Sequence, residues 1–411
     1  MNTTRRAPSR RVLNTPDLPP EIWMEILRQA TLVPSILDPH DVLQVSLRAG
    51  WDKVQLYRQS LVTKRYLVRV CRQWHAWSVP LLYESIFLGK GSSLPALRDA
   101  LMKMFQRADN SGEVCSPGWW TKRLDIALRD MGRTETEVEC IADIIRCLPN
   151  LSIVNFAITA QQFQRHSGRK DLILYILQSF TRATLSSLRA VTWDGRVVRP
   201  DPDDWHAFLE GAINIRVLRC PHLGMTQNMS SLPFTSLESL SINDDCSTGE
   251  LPSLRHLVTD VFLRFSPQPL FERHGAKLEL VQLHFFGRQP TIAHVLAMLS
   301  RFCPKLLRVD ITVGTWDLFG RQVDEPILLP PTVRVLGLQN ISTQLPSREY
   351  KNLFLGLEHV QYGTALHYIQ FIDRGNVKDL RQKHPRVLTR GLEILAHKSL
   401  ELRDHDGVVI R

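Results

Sequence analysis

One short phrase, apolar-x-x-apolar-x-apolar, recurs along most of this chain and constrains its fold more than any other feature. Leucine makes up 59 of the 411 residues, and many of these leucines stand in the phrase. Repeated apolar units that cannot bury their own faces must stack on one another, so the recurrence predicts a repeat architecture. The copies begin, in chain order, at Leu151, Leu188, Ile215, Leu237, Leu254, Leu278, Leu306, Val333 and Leu357.

The spacing of the phrase indicates the kind of unit. Successive copies start 17 to 37 residues apart, and the mean of about 26 falls within the range of leucine-rich repeats. Four copies have proline two residues before the phrase, where it ends a helix and allows a strand to begin. We predict an α/β fold in which residues 91–395 form an irregular leucine-rich-repeat solenoid with a parallel sheet, followed by a C-terminal tail at 396–411. An ordinary α/β domain is the alternative.

The phrase also predicts which side chains point away from the core. Its first, fourth and sixth residues point inward, and its third, fifth and seventh project from the other side of the sheet. Stacking places the projecting residues of successive strands side by side on a concave face. They are mostly polar and differ from unit to unit, which favours one irregular protein partner, with a solvated face as the alternative. The candidate substrate-binding residues are Arg219, Asn243, His256, Asp260, Gln282, His284, Arg308, Asp310, Gln339 and His359.

The N-terminal part of the chain has a different character. Residues 1–16 carry four arginines and no acidic residue, and we expect them to form a disordered basic tail. Residues 18–22 (LPPEI) predict the start of a helix, since proline suits a first turn and glutamate favours the positive helix end. Its apolar stripe consists of Ile22, Trp23, Ile26 and Leu27.

A second amphipathic helix is predicted over residues 60–78. Pro80 is expected to end it, and residues 81–88 then lead into a strand. A long connection of residues 28–60, with room for one further helix, separates the two helical phrases. The apolar face of the second helix consists of Leu67, Val70, Cys71, Trp74 and Trp77.

Taken together and in order, these phrases resemble an F-box. The family motif opens with Leu-Pro-x-Glu-Ile, as at 18–22, and carries Val-Cys-Arg-x-Trp in a later helix, as at 70–74. The Leu-Leu-Tyr at 81–83 is similar to the end of the divergent F-box modules abundant in fungi. The resemblance covers residues 17–90, although the 39 residues between Leu27 and Leu67 exceed the connection of a compact F-box.

The resemblance implies a function without catalysis on this chain. In that family the helical module binds a Skp-type adaptor, which hangs from a cullin scaffold carrying a RING protein. The repeats hold a protein substrate near the ubiquitin-charged enzyme, as in an SCF-type ubiquitin ligase, and the rate gain is effective concentration. Val70 and Trp74 are expected to hold the module's own helices together. The implied adaptor-binding residues are Leu18, Pro19, Glu21, Ile22, Ile26, Leu27, Leu67, Val70, Cys71 and Trp74.

Motifs for catalysis, metals and membranes are missing from the sequence. It contains no Gly-x-Ser-x-Gly, no His-Glu-x-x-His and no Walker loop, and its 7 cysteines include no Cys-x-x-Cys. We therefore expect no enzyme activity, no cofactor and no metal site. Apolar runs are too short for a membrane span, and no secretory signal opens the chain, so we expect an intracellular protein of the cytoplasm or nucleus.

Two other functions stay open on the sequence alone. One is a leucine-rich-repeat scaffold for protein interactions with no ubiquitin-ligase role, which would fail to bind the adaptor. The other is a nucleic-acid-binding factor that uses the net charge of +10 and pI of about 9.4. Four of those charges lie in the basic tail and the others are spread over the rest of the chain, which argues against nucleic acid.

Overall fold

The computed structural model describes residues 18–40, 51–111, 116–128, 134–157, 170–193, 200–220, 234–242, 249–261, 266–285, 291–320, 327–342 and 344–411. Within these ranges, twelve strands form one sheet, and neighbours in the sheet are neighbours along the chain. The strands are β1 (Ser85–Leu88), β2 (Arg123–Ile126), β3 (Ile153–Phe156), β4 (Ala190–Trp193), β5 (Val217–Arg219), β6 (Ser239–Ile242), β7 (His256–Val261), β8 (Leu280–Phe285), β9 (Arg308–Val313), β10 (Val335–Asn340), β11 (Tyr368–Phe371) and β12 (Glu401–Arg403).

Helices connect most of these strands. They are α1 (Pro20–Thr31), α2 (Trp51–Leu67), α3 (Arg72–Tyr83), α4 (Leu94–Ser111), α5 (Thr134–Arg146), α6 (Lys170–Ala183), α7 (Pro202–Gly211), α8 (Gln268–His274), α9 (Ile292–Phe302), α10 (Asp317–Gly320), α11 (Ser347–Glu358), α12 (Arg374–Lys383) and α13 (Pro385–His397).

The sheet topology is that of a solenoid. All twelve strands pair in parallel, each with the strand before and after it in sequence. Eight of the nine repeat phrases fall on strands β3 to β10, and each strand begins at the third residue of its phrase. The predicted α/β leucine-rich-repeat solenoid with a parallel sheet is therefore confirmed.

The core runs between the sheet and the helices along the whole array. The fourth residue of each phrase pairs in register with its counterparts, as Val154, Val191 and Leu218 do, and these side chains are buried. Helix α9 shows how the other layer forms: Thr291 caps its N-terminus by accepting from the amide of His294, and its apolar face is buried. One apolar cluster extends from β1 to the C-terminal end.

Stacked aromatic rings fill the early repeats. The rings of Phe156 and Trp193 stack with centroids 4.1 Å apart, and Trp205 and Phe208 of α7 continue the row. Asp201 caps α7 by accepting from the amide of Asp203, as its position before the helix predicts. All four rings are buried in the core between the sheet and the helices.

The C-terminal end of the solenoid differs from the prediction. The phrase at 357–362 is not a strand, because Leu357 lies in helix α11, and the true strand β11 belongs to the similar phrase at 366–371. Residues 396–411 are not a tail: β12 pairs with β11, and Arg403 bridges to Val409 in a return turn. Ile410 is 3% exposed and covers the end of the core, so this segment caps the array.

Among the described residues, three helices precede the sheet and pack on one another. Helix α1 starts at the prolines as predicted, but the single helix expected over 60–78 is wrong. Its range is divided between α2 and α3, and Cys71 caps α3 by accepting from the amide of Trp74. Pro80 does not end α3, since a proline one turn from the C-terminus removes a single helical hydrogen bond and the helix continues to Tyr83.

The boundary between module and repeats also differs. Strand β1 lies within the predicted module range of 17–90, yet it pairs with β2 as the first strand of the solenoid. Residues 1–17 and 41–50 lie outside the described ranges, so the expected basic tail is not described.

Candidate protein-interaction surfaces

The three N-terminal helices carry an exposed apolar surface. We call it the module surface and define it by Leu18, Ile22, Met24, Ile26, Leu56, Val62, Tyr66 and Val70, which are each 39–67% exposed. Ile22 and Ile26 are spaced four residues apart and lie on one side of α1, and Leu18 directly precedes the N-cap of that helix. Exposed apolar residues concentrated on one small unit are typical of a surface that another protein covers.

The predicted adaptor-binding residues divide into three groups. Leu18, Pro19, Glu21, Ile22 and Ile26 lie exposed on or beside the first turns of α1, and Val70 and Cys71 lie exposed in the turn before α3. Leu67 is half-buried at the end of α2. Leu27 is 2% exposed and faces the interior of the module.

Of the two residues expected to hold the module together, one does so and the other does not. Trp74 does take part, since its half-buried ring lies 5.5 Å from that of Trp23 across α1 and α3. Val70 does not, because it is 59% exposed. Leu27 packs inside instead, and the Ser60 hydroxyl donates to the carbonyl of Thr31 over 2.5 Å, which ties α2 to the end of α1.

Helix α2 fixes this module against the first strands. The ring of Tyr57 meets that of Phe87 on β1 edge to face, with centroids 6.1 Å apart, and lies under the guanidinium of Arg123 on β2. Arg123 is 1% exposed and donates to Asp125 over 2.7 and 2.9 Å. Burial lowers the pKa of Lys64, a further α2 residue. The contact is a packed interface and sets the orientation of the module.

A segment of the connection between α1 and α2 crosses the sheet. We call residues 33–40 the strap and call the side of the sheet away from the helices the outward face. The guanidinium of Arg123 donates to the carbonyl of Ile36 over 2.7 Å. Four residues later, His40 contacts Glu238 over 3.0 Å and Ser239 over 3.4 Å, both at the start of β6. The strap thus spans β2 to β6, and nothing in the sequence patterns pointed to His40.

The predicted alternation of faces is confirmed for the described candidate residues on strands. Arg219, His256, Asp260, Gln282, His284, Arg308, Asp310 and Gln339 all lie on the outward face. Most are far less exposed than expected, with Arg219, Asp260, Gln282, His284, Asp310 and Gln339 at 2–8%. Neighbouring strands stand close enough for these side chains to cover one another.

Of the two remaining candidates, one is not on the outward face and the other is not described by the structure. His359 follows α11 outside the sheet and is exposed, because the strand was assigned to the wrong phrase. Asn243 lies outside the described residues. The row instead continues through Tyr368, Gln370 and Arg403 of β11 and β12, which the phrase beginning at Leu366 would have identified.

Paired polar groups organise the part of the outward face beyond the strap. Arg308 donates to Asp310 over 2.8 Å and to Gln370 over 3.1 Å. Burial raises the pKa of Asp310, against the opposing effect of Arg308. A Cβ atom at Gly337 on the strand between would lie 2.0 Å from the Asp310 carboxylate, so only glycine leaves room for this pair.

The same region also presents partly exposed side chains to solvent. Leu280, Arg308, Val335 and Tyr368 are half-buried and adjacent in register, and the guanidinium of Arg403 lies 4.1 Å over the ring of Tyr368. We call this stretch of the outward face, from β8 to β12, the open face. Its mixture of aromatic, aliphatic and paired charged groups is suited to a protein surface.

Among the described residues, potential metal ligands group together at one place. One group of three potential ligands, Asp404, His405 and Asp406, lies in the C-terminal turn with its atoms within 4.8 Å of one another. Asp404 already accepts from the amides of Asp406 and Val408, which gives it a structural role in that turn. Across the described ranges, the helices are too short or too polar to cross a membrane.

Comparisons with known proteins give matches of low identity and low TM-score among solved structures. No family model matches the chain, and no curated protein matches it. Among solved structures, the leucine-rich-repeat-containing protein LegL7 from Legionella pneumophila is similar at 12% identity and TM-score 0.38, over 78% of this chain and 94% of that one. An internalin, InlF, from Listeria monocytogenes is similar at 13% identity and TM-score 0.28, over 63% and 78%. The chain's own strand order and phrase register therefore define it as an α/β solenoid of leucine-rich-repeat type, a fold suited to protein interaction.

Proposed function

We propose that this protein is a non-catalytic substrate receptor of an SCF-type cullin–RING ubiquitin ligase. The N-terminal helices bind a Skp-type adaptor, and through it a cullin scaffold, while the repeats bind a protein substrate. The observation that carries the proposal is the module surface. Of the 17 large apolar side chains exposed among the described residues, nine lie between Leu18 and Val70.

The arrangement of the helices supports adaptor binding. The residues that match the F-box opening form the exposed stripe of α1, and the residues that match its second phrase form the turn and first positions of α3. Trp23 and Trp74 bring these two elements together, so the two phrases contribute to one surface. An amphipathic helix with its apolar side unpartnered is a common element of protein recognition.

The long connection is compatible with this function. An insertion folded over α1 would cover the adaptor-binding stripe. Residues 33–40 lead away from α1 instead and lie on the sheet, and Ile22 and Ile26 keep exposures of 47% and 44%. The described part of the connection therefore attaches the module to the repeats.

Rigid attachment suits the proposed mechanism. The receptor brings a substrate to an enzyme that is bound elsewhere in the complex. The reaction is accelerated through the effective concentration of the substrate, which depends on the distance and orientation between the two binding surfaces. Tyr57 and the strap both tie the module to the first half of the solenoid. The open face then holds the substrate at a set distance from the adaptor.

Co-purification with a Skp-type adaptor tests the proposal. Ile22→Asp with Ile26→Asp is expected to abolish capture of purified adaptor, because both side chains would be buried in the complex and burying an isoleucine contributes about 1.5–3 kcal/mol. Leu18→Ala with Pro19→Ala is expected to act in the same direction. Ile213→Asp is the matched control, since Ile213 is 55% exposed on the solenoid and is expected to leave capture unchanged.

Two results would reject the adaptor assignment. One is full capture by the folded Ile22→Asp, Ile26→Asp variant, and the other is no capture by the wild-type chain. The second result would favour a leucine-rich-repeat scaffold without a ubiquitin-ligase role.

A further inference from the structure

The strap contacts one continuous row of residues on the outward face. This row consists of the first residue of each strand, which pair in register from β2 to β7: Arg123, Ile153, Ala190, Val217, Ser239 and His256. The strap touches the row at both ends, through Ile36 on Arg123 and through His40 on Ser239. It therefore runs across the strands along this row.

The middle of the row is apolar and fully buried. Ile153, Ala190 and Val217, with Val258, form a buried cluster separate from the main core, and they are 0–4% exposed. Ile153, Ala190 and Val217 lie between the two points where the strap is anchored. Their burial means that another part of the chain covers them, and the strap is in position to contribute to that cover.

The length of the strap fits this path. Strands β2 and β6 are four spacings apart, about 19 Å in a regular sheet. The four residue steps from Ile36 to His40 cover less than the ~14 Å of an extended chain, because residues 34–37 form turns and the amide of Asp38 donates to the carbonyl of Ser35. The side chains of Arg123 and His40 bridge the difference, and these are the two side chains that make the end contacts.

The second anchor is a specific polar site. The Ser239 hydroxyl lies 3.0 Å from Nδ1 of His256 and 3.4 Å from Nδ1 of His40, and the two imidazoles meet edge to face at 5.5 Å. Nε2 of His40 lies 3.0 Å from Glu238, which also faces Arg216 at 3.8 Å. Such a site accepts one donor-bearing side chain in one orientation.

We propose that the row from Arg123 to His256 is a binding groove for a short peptide that folds into turns, which this chain fills with its own strap. The ligand it takes presents a backbone carbonyl to Arg123, apolar residues over Ile153, Ala190 and Val217, and an imidazole or another hydrogen-bond donor to Glu238. The groove is distinct from the module surface and from the open face, so the inference does not depend on the ubiquitin-ligase proposal.

Peptide binding in trans tests the groove. The probe is a fluorescein-labelled synthetic peptide of residues 32–40 (LVPSILDPH), titrated to about millimolar because that is the effective concentration of a short tethered segment. The full-length His40→Ala, Ile36→Gly variant, which loosens the strap, is expected to bind it at least tenfold more tightly than the wild-type chain. His40→Ala alone, at one half-buried residue outside any helix, is the second variant should the double one not fold.

The site of binding is checked on the loosened chain. Adding Ser239→Val with His256→Ala is expected to weaken peptide binding at least tenfold, whereas adding Glu401→Ala, on the same face at β12, is expected to change nothing. The groove is refuted if the folded loosened chain binds no peptide, if the wild-type chain binds it equally well, or if the Ser239 and His256 changes have no effect.

Discussion

Replacing Arg308 by alanine is expected to destabilise the solenoid in a way that depends on pH. Asp310 is 7% exposed, and Arg308 is its nearest cation at 2.8 Å. Removing one partner of a buried ion pair costs about 3–5 kcal/mol. Because the Arg308 side chain is 30% exposed and water replaces part of its effect, we expect a loss of about 2 kcal/mol at pH above 7.

The pH dependence follows from the pKa of Asp310. Burial raises this pKa in the folded state while Arg308 lowers it, so the variant raises it further. A carboxyl group whose pKa is higher in the folded protein than in the unfolded chain stabilises the fold while it is protonated, at pH below its unfolded-state pKa. That stabilisation disappears as the pH rises through the folded-state pKa. The stability deficit of Arg308→Ala is therefore expected to be largest near pH 8 and to shrink to below about 1 kcal/mol near pH 5.

Urea unfolding followed by circular dichroism at both pH values measures this deficit. Arg255→Ala is the matched control, since it breaks the ion pair with Glu279 at side-chain exposures of 58% and 38% and is expected to cost under about 0.5 kcal/mol. Asp310→Asn in the Arg308→Ala background is expected to recover most of the loss at pH 8. A deficit equal at the two pH values, or no larger than that of the control, would refute the reasoning.

Two further predictions concern the outward face. Gly337→Ala is expected to cost about 1–3 kcal/mol in the same unfolding assay, because the new methyl group displaces Asp310, whereas Gly314→Ala, with its nearest atom at 4.0 Å, is the neutral control. The strap is expected to bind the outward face less tightly below about pH 6.5. Burial and the nearby His40 lower the pKa of His256, so protonation of His256 disfavours the state in which the strap contacts it. Hydrogen exchange of strap amides is expected to show this, and His256→Gln is expected to remove most of the pH dependence; an unchanged pH profile in that variant would count against it.

The errors in the sequence analysis share a cause. The phrase at Leu357 and the one at Leu366 are equally good local patterns, and only pairing with β10 decides between them. The segment 60–78 has helical periodicity throughout, and the break before α3 goes with the cap that Cys71 provides for the Trp74 amide and with the contact of the Trp74 ring with Trp23 of α1. Local periodicity is insensitive to such choices, because it reports which side chains are apolar and leaves open which neighbour they meet.

The amino-acid sequence by itself determined the repeat, the parallel sheet, the alternation of its faces and the apolar stripe of the first helix. These features follow from periods of two, 3.6 and about 26 residues, which are visible in a few neighbouring positions. Only the tertiary structure decided the burial of the outward face, the capping role of the last residues and the path of the strap. Those depend on contacts such as that of His40 with Ser239, 199 residues apart in the chain, and no local pattern encodes a contact between segments so distant.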